Sequence, residues 1–255
     1  MEEDVAHQID YKLLGDDMQA VVITLDPGET VQAEAGSMMY MEDGIEMNSE
    51  MQGGFMGGIK RKLGGESLFI TTFTNNGQDK KTVSFAAPYP GKILPVNLAE
   101  TGPILCQRDA YLCNAFGIDI SVTFTKRLGA GFFGGEGFIL QKLSGDGYAF
   151  IHAGGTVLEH ELDAGESIKV DTGCLVAFQE SVSYDIEMVK GIKTMLFGGE
   201  GLFLAHLTGP GKSYLQTLPF SRMANRVISA SGYTGQKGEV KRGMGGILGQ
   251  IIEGD

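Results

Sequence analysis

Three glutamates stand at matching places in a repeated phrase: Gly64-Gly65-Glu66-Ser67-Leu68-Phe69, Gly134-Gly135-Glu136-Gly137-Phe138-Ile139 and Gly198-Gly199-Glu200-Gly201-Leu202-Phe203. Carboxylates gathered from three copies of one motif could hold a hard cation, or raise one another's pKa by like-charge repulsion. The plainer role, and the one expected here, is local. A Gly-Gly turn followed by an apolar strand leaves backbone donors that each glutamate caps at its own strand start. Each phrase is also preceded by cations: Lys60, Arg61 and Lys62, then Lys126 and Arg127, then Lys190 and Lys193. Basic side chains collected at one repeated place form a candidate contact for phosphate or an acidic partner. A solvated loop on an acidic surface is the alternative.

Other chemistry-bearing residues fall short of a site. Met38, Met39, Met41, Met47, Met51 and Met56 crowd a short stretch, and clustered thioethers can bind soft copper(I). No Cys or His stands among them to complete such a centre, so core packing or a partner surface is expected. Glu159-His160-Glu161 lacks the His-x-His-plus-Glu arrangement of a β-helix metal enzyme, and Cys106 and Cys113 are too far apart for a Cys-x-x-Cys pair. With Cys174 they read as small buried apolar residues, Cys174 inside a strand. No Gly-x-Ser-x-Gly elbow, Walker loop or dinucleotide fingerprint is present. A non-enzymatic protein with no catalytic residue, metal or cofactor is the expectation.

Composition bounds the partners. The chain has 255 residues, 42% of them hydrophobic, which is enough for a core without disulfides or a metal. Lys and Arg number 20 against 32 Asp and Glu, a net charge of -12, and this disfavours nucleic acid or anionic lipid as a partner of the whole surface. An odd cysteine count and the acidic start Met1-Glu2-Glu3-Asp4 point to a cytoplasmic protein, and no apolar run is long enough to span a membrane. Glycine, at 39 residues, is about twice its usual ~7% share, as short strands joined by tight turns require.

The elements that must position these residues are strands. Ile9, Tyr11 and Leu13-Leu14, then Val21-Val22-Ile23, flank the turn signal Gly15-Asp16-Asp17 and predict a β-hairpin. Leu25-Asp26-Pro27-Gly28-Glu29-Thr30-Val31 reappears as Leu162-Asp163-Ala164-Gly165-Glu166-Ser167-Ile168, with Gly28 and Gly165 where a turn needs positive φ. A weaker middle copy aligns Val31 with Ile104, Ala33 with Cys106, Met38 with Tyr111 and Met39 with Leu112, without the Pro-Gly-Glu turn. The repeat is a module of about 65 to 70 residues. Pro219 followed by Phe220, Met223, Ala224, Val227 and Ile228 predicts a helix over 219–229. The organisation expected is one all-β domain over 1–230, with repeats at about 8–87, 88–147 and 148–217. A Gly-rich tail, 231–255, ends in an apolar hook.

Leu25-Asp26-Pro27-Gly28-Glu29-Thr30-Val31, Ala33-Glu34-Ala35-Gly36, Lys60-Arg61-Lys62-Leu63-Gly64-Gly65-Glu66 and Leu218-Pro219-Phe220-Ser221-Arg222 together resemble the bacterial and fungal family named for altered inheritance of mitochondria. The likeness covers about residues 8 to 230. It implies a fold similar to that of the tryptophan RNA-binding attenuation protein: a double-stranded β-helix of jelly-roll-like sheets, three repeats in pseudo-threefold array, and one C-terminal helix. It implies no activity, because the family has no settled biochemical role.

Two readings of function follow. One is a binding or scaffold protein that engages a protein partner or a membrane surface peripherally, with Phe55 and Met56 in the Gly-Met loop and Ile247 and Leu248 in the hook as candidate apolar contacts. The other is a binder of RNA or another anionic ligand through the repeated basic residues. A homo-oligomer is compatible with either.

Overall fold

Antiparallel pairing begins where the alternation predicts it. In the computed structural model, which describes residues 5–34, 36–50, 70–126, 138–189 and 202–230, strand β1 (Asp10–Leu14) pairs with β2 (Ala20–Leu25). On β2 the alternate residues Val21, Ile23 and Leu25 are fully buried, and each contributes about 1.5–3 kcal/mol of burial free energy.

From β2 onward the strands fall into successive groups of six. The first is β2, β3 (Thr30–Glu34), β4 (Met38–Met41), β5 (Ile45–Glu50), β6 (Ile70–Asn75) and β7 (Lys81–Ala86). The second is β8 (Gly91–Asn97), β9 (Ile104–Gln107), β10 (Tyr111–Ala115), β11 (Asp119–Lys126), β12 (Phe138–Ser144) and β13 (Tyr148–Gly154). The third is β14 (Val157–Leu162), β15 (Ser167–Asp171), β16 (Leu175–Gln179), β17 (Ser183–Val189), β18 (Leu202–Thr208) and β19 (Gly211–Gln216). In every group the sixth strand pairs with the first and third, and the fifth with the second and fourth, always antiparallel. The third strand carries a bulge against the sixth at the same place in each group, at Met39, Leu112 and Val176.

This pairing moves one expected boundary. Tyr148 was expected to open the third module, but its strand β13 returns along β8 and completes the second. The turn Gly145-Asp146-Gly147 therefore lies within the group, carrying the chain from β12 in one sheet to β13 in another. Local turn chemistry cannot reveal this, because the partner of β13 lies far back in the chain. Cys174 also departs from expectation: it is only partly buried, and it closes a 3-10 turn (Thr172–Cys174) ahead of β16 instead of lying inside the strand. Cys106 and Cys113 are buried.

The Asp-Pro-Gly-Glu turn and its distant copy agree atom for atom. Gly28 and Gly165 have φ of 87° and 84°. The Glu29 N–H donates to Asp26 O at 2.9 Å, and the Glu166 N–H to Asp163 O at 2.9 Å. Each glutamate reaches back through Oε2 to accept from the N–H of that same aspartate, at 2.8 and 3.0 Å. In the middle group the link is instead a short helix, α1 (Leu98–Thr101), capped by Asn97, whose side chain accepts from the Ala99 N–H.

Groups join through their second and third strands: β3 pairs with β10, and β9 with β16. Two six-stranded sheets result, ordered β5-β6-β3-β10-β13-β8 and β11-β12-β9-β16-β19-β14. The remaining sheets, β1-β2-β7-β4 and β15-β18-β17, end at β4 and β15. One apolar core gathers side chains mostly from the first two groups, Phe73, Phe85 and Phe150 among them, and reaches Val176, Ala177 and Tyr214 of the third. A second lies around Phe138, Leu140, Leu175, Phe178 and Leu207. This compact unit runs to Phe220, and a separate unit begins at Ser221. Helix α2 (Phe220–Ala230) starts one residue after Pro219.

Candidate functional site

One end of the β body collects the features that the repeats share. The second strands finish there, at Glu34, Gln107 and Asp171. Strand β9 leads through a 3-10 turn (Arg108–Ala110) into β10, which runs antiparallel to β3, so the ends of β3 and β9 lie side by side. The same step through Thr172–Cys174 brings the end of β15 beside that of β9. The Gln107 Nε2 donates across this step to Thr172 O.

The hairpins formed by the fourth and fifth strands open at this end too. Ile70 stands opposite both Glu34 and Glu50, Leu140 opposite Gln107 and Phe124, and Leu204 opposite Asp171 and Glu187. Residues 51–69, 127–137 and 190–201 connect these paired strands. They hold Glu66, Glu136 and Glu200, and also Lys60, Arg61, Lys62, Arg127, Lys190, Lys193, Phe55 and Met56. All of these lie outside the described residues, as do Ile247 and Leu248 of the tail. Lys126 is the last described residue of β11, with its backbone opposite Phe138.

At this end the described side chains form a titratable cluster that the sequence reading did not single out. Solvent still reaches Glu34, yet surrounding protein crowds its carboxyl enough that burial raises its pKa, helped by Asp109 and opposed by Arg108. Burial pushes the Tyr89 phenol up to about 12, with further contributions from Asp109 and Glu34. His152, 2% exposed, is driven down to about 4 by burial, against a hydrogen bond with the Tyr89 backbone. Its ring meets Tyr89 edge-on at 4.6 Å, and Tyr89 in turn contacts Phe220 at 5.3 Å. The imidazole is therefore neutral at pH 7, and its Nδ1 finds no partner among the described residues. A packed ring without an orienting carboxylate is not arranged as a general base.

Deeper in, Tyr111 Oη donates to Asn114 Oδ1 at 2.5 Å, and Asn114 Nδ2 donates to Gln32 Oε1 at 3.1 Å, tying β10 to β3 across the junction. The signal for this network was legible: Gln32 and Asn114 are amides within apolar strands. Among the described residues, no three His, Cys, Asp or Glu side chains converge as metal ligands. Met39, Met41 and Met47 are exposed.

The chain is similar to known proteins in sequence and in fold. A family model described as mitochondrial biogenesis AIM24 matches residues 11–218. The uncharacterised protein M6_Spy0233 of Streptococcus pyogenes serotype M6 is 28% identical over 215 residues, covering 80% of this chain and 83% of its own. The crystal structure of protein SPYM3_0169 from Streptococcus pyogenes superposes with a TM-score of 0.71 at 24% identity, covering 88% of this chain and 100% of that one, and it supports the all-β fold. The match to the family model spans most of the β body, and the chain belongs to the mitochondrial biogenesis AIM24 family.

Proposed function

We propose that the protein is a non-enzymatic binding or scaffold protein of the cytoplasm that engages a protein or a membrane surface through one end of its β body. The observation that carries this reading is the common direction of the hairpins. Three pairs of strands lead out of the end marked by Glu34, Gln107 and Asp171, and each is followed in the chain by the basic residues and the Gly-Gly-Glu phrase. Seven cations at or within these three connections, in a chain whose net charge is -12, would give an acidic surface a local field to meet. No helix among the described residues is long and apolar enough to cross a membrane, so such contact would be peripheral.

Co-sedimentation with vesicles containing phosphatidylserine, beside pull-down with the intact chain, tests this. Binding should fall steeply with added salt and drop several-fold when Lys60, Arg61 and Lys62 become alanine, with a further drop for the Lys126/Arg127 and Lys190/Lys193 pairs. Retention of every partner by the variant lacking all seven cations would sink the reading. Salt-dependent capture of RNA in place of vesicles or protein would replace it with the anionic-ligand alternative.

A further inference from the structure

Helix α2 carries an apolar stripe that its sequence spacing sets on one side. Phe220, Met223, Ala224, Val227 and Ile228 recur at three and four residues, the period that stacks side chains along a single face. A stripe of this kind ordinarily faces a core. Here Phe220, Val227 and Ile228 are each more than half exposed, although Pro219 just before the helix is buried. The opposite side has a single sign of charge. Arg222 and Arg226, four apart and both exposed, line up there, and α2 contains no Asp or Glu. The chain that follows keeps that sign: residues 219–243 hold five cations, Arg222, Arg226, Lys237, Lys241 and Arg242, against one acid, Glu239, in a protein whose net charge is -12.

We infer that α2 is an interfacial helix that lies in the surface of an anionic lipid bilayer, its apolar stripe at the acyl-chain boundary and its arginines at the headgroup phosphates. The charge pattern selects this occupant. An apolar face alone would suit any apolar groove, but an apolar face backed only by cations matches the layered order of a bilayer surface, hydrocarbon below and phosphate above. Arginine is also the side chain whose planar fork fits phosphate oxygens best. A second copy of α2 laid on this face would bring like charges toward each other. An eleven-residue helix holds a bilayer weakly by itself, and Lys237, Lys241 and Arg242 supply the second attraction that stable attachment needs. This contact is separate from the hairpin end on which the proposed function rests. It adds an apolar attachment to that electrostatic one.

The test uses the full chain with Val227→Cys in a Cys174→Ser background, labelled with an environment-sensitive dye and mixed with vesicles containing phosphatidylglycerol. Cys106 and Cys113 are buried and take no label. The expected result is a blue-shifted, several-fold brighter emission at position 227, with little change for the same dye on Asn225→Cys at the polar side, and little change in pure phosphatidylcholine. Both positions share one helix, so a loss of structure would move them together. Val227→Asp should lower vesicle binding about tenfold, whereas Asn225→Asp, which adds the same charge on the polar side, should lower it about twofold or less. No shift with anionic vesicles, or equal shifts at 225 and 227, would overturn the inference. So would an emission at 227 already blue-shifted without vesicles, which would show the face covered by protein. Vesicle binding lost with the hairpin cations yet unmoved by Val227→Asp would overturn this inference and leave the hairpin reading standing. The reverse pattern would keep this one and remove the other.

Discussion

Strands β4, β10 and β16 hold the same place in their groups and carry the same bulge, yet they live in different surroundings. The bulge residue is 2% exposed at Leu112 and 1% at Val176, but 59% exposed at Met39. The cause is the neighbour on the far side: β10 and β16 are flanked by β3 and β9, while β4 ends its sheet. A strand's burial here is set by the junction it enters as much as by its own apolar pattern. The largest expected effect tests that contrast directly. Leu112→Ala should cost about 2–5 kcal/mol in urea unfolding, through lost transfer energy and the cavity left behind. Met39→Ala, on the sheet's edge strand, should stay within about 0.5 kcal/mol. Equal losses would break the comparison.

The sixth strands sharpen it next. At one equivalent position, beside the bulge, the groups place Ala86, His152 and Gln216. Only the middle group puts an ionisable ring there, and burial lowers that ring from 6.5 to about 4. Because the folded value is depressed, the unfolded chain takes up a proton first as pH falls. The stabilisation is complete above about pH 6.5, is lost progressively down to about pH 4, and changes no further below, amounting to about 3 kcal/mol. Unfolding free energies measured across that window should lose this much in the parent protein and much less in His152→Gln. A slope unchanged by the substitution would assign the acid sensitivity to other groups, Glu34 not among them, since its raised pKa acts in the opposite direction.

How far the sequence showed all this depends on whether the signal was local. The hairpin around Gly15, the turn at Gly28 and its copy at Gly165 are short-range features, and the strands appear where those residues demand. In the middle group the side-chain period survives the loss of that turn: Ile104 and Cys106 of β9 stand opposite Leu143 and Gln141, as Val31 and Ala33 of β3 stand opposite Phe73 and Thr71. What stayed hidden depends on contacts between distant segments. The return of β13 along β8 is one such feature, and the cluster of Glu34, Tyr89, Asp109 and His152 draws its members from four distant segments of the chain. The place of β4 and β15 at the ends of their sheets is a third. Tyr40 and Val170 are ordinary strand residues in isolation, and only their equivalence to Cys113 and Ala33 shows that they hold the places of a junction. The repeated glutamates and cations were visible as a pattern, but the reading of their role rests on strand ends.

The smallest effect concerns the turns that enter β3 and β15. A Cβ added at Gly28 or at Gly165 would meet nothing within 4 Å, so alanine there is opposed by the left-handed backbone alone. Each substitution should cost about 1 kcal/mol, and the two should match within error, because their hydrogen bonds match as well. Asparagine, which tolerates that conformation better, should recover part of the loss at both sites. In the middle group α1 replaces the turn, and there the equivalent weak point is the cap: Asn97→Ala should cost a comparable ~1 kcal/mol through loss of the bond to the Ala99 N–H. Thermal unfolding of the three single variants decides the matter. Matching losses would mean that each group needs its link fixed but not fixed by one chemistry. A much larger loss at Gly28 than at Gly165 would show that the group whose third strand stands open relies more on its own turn.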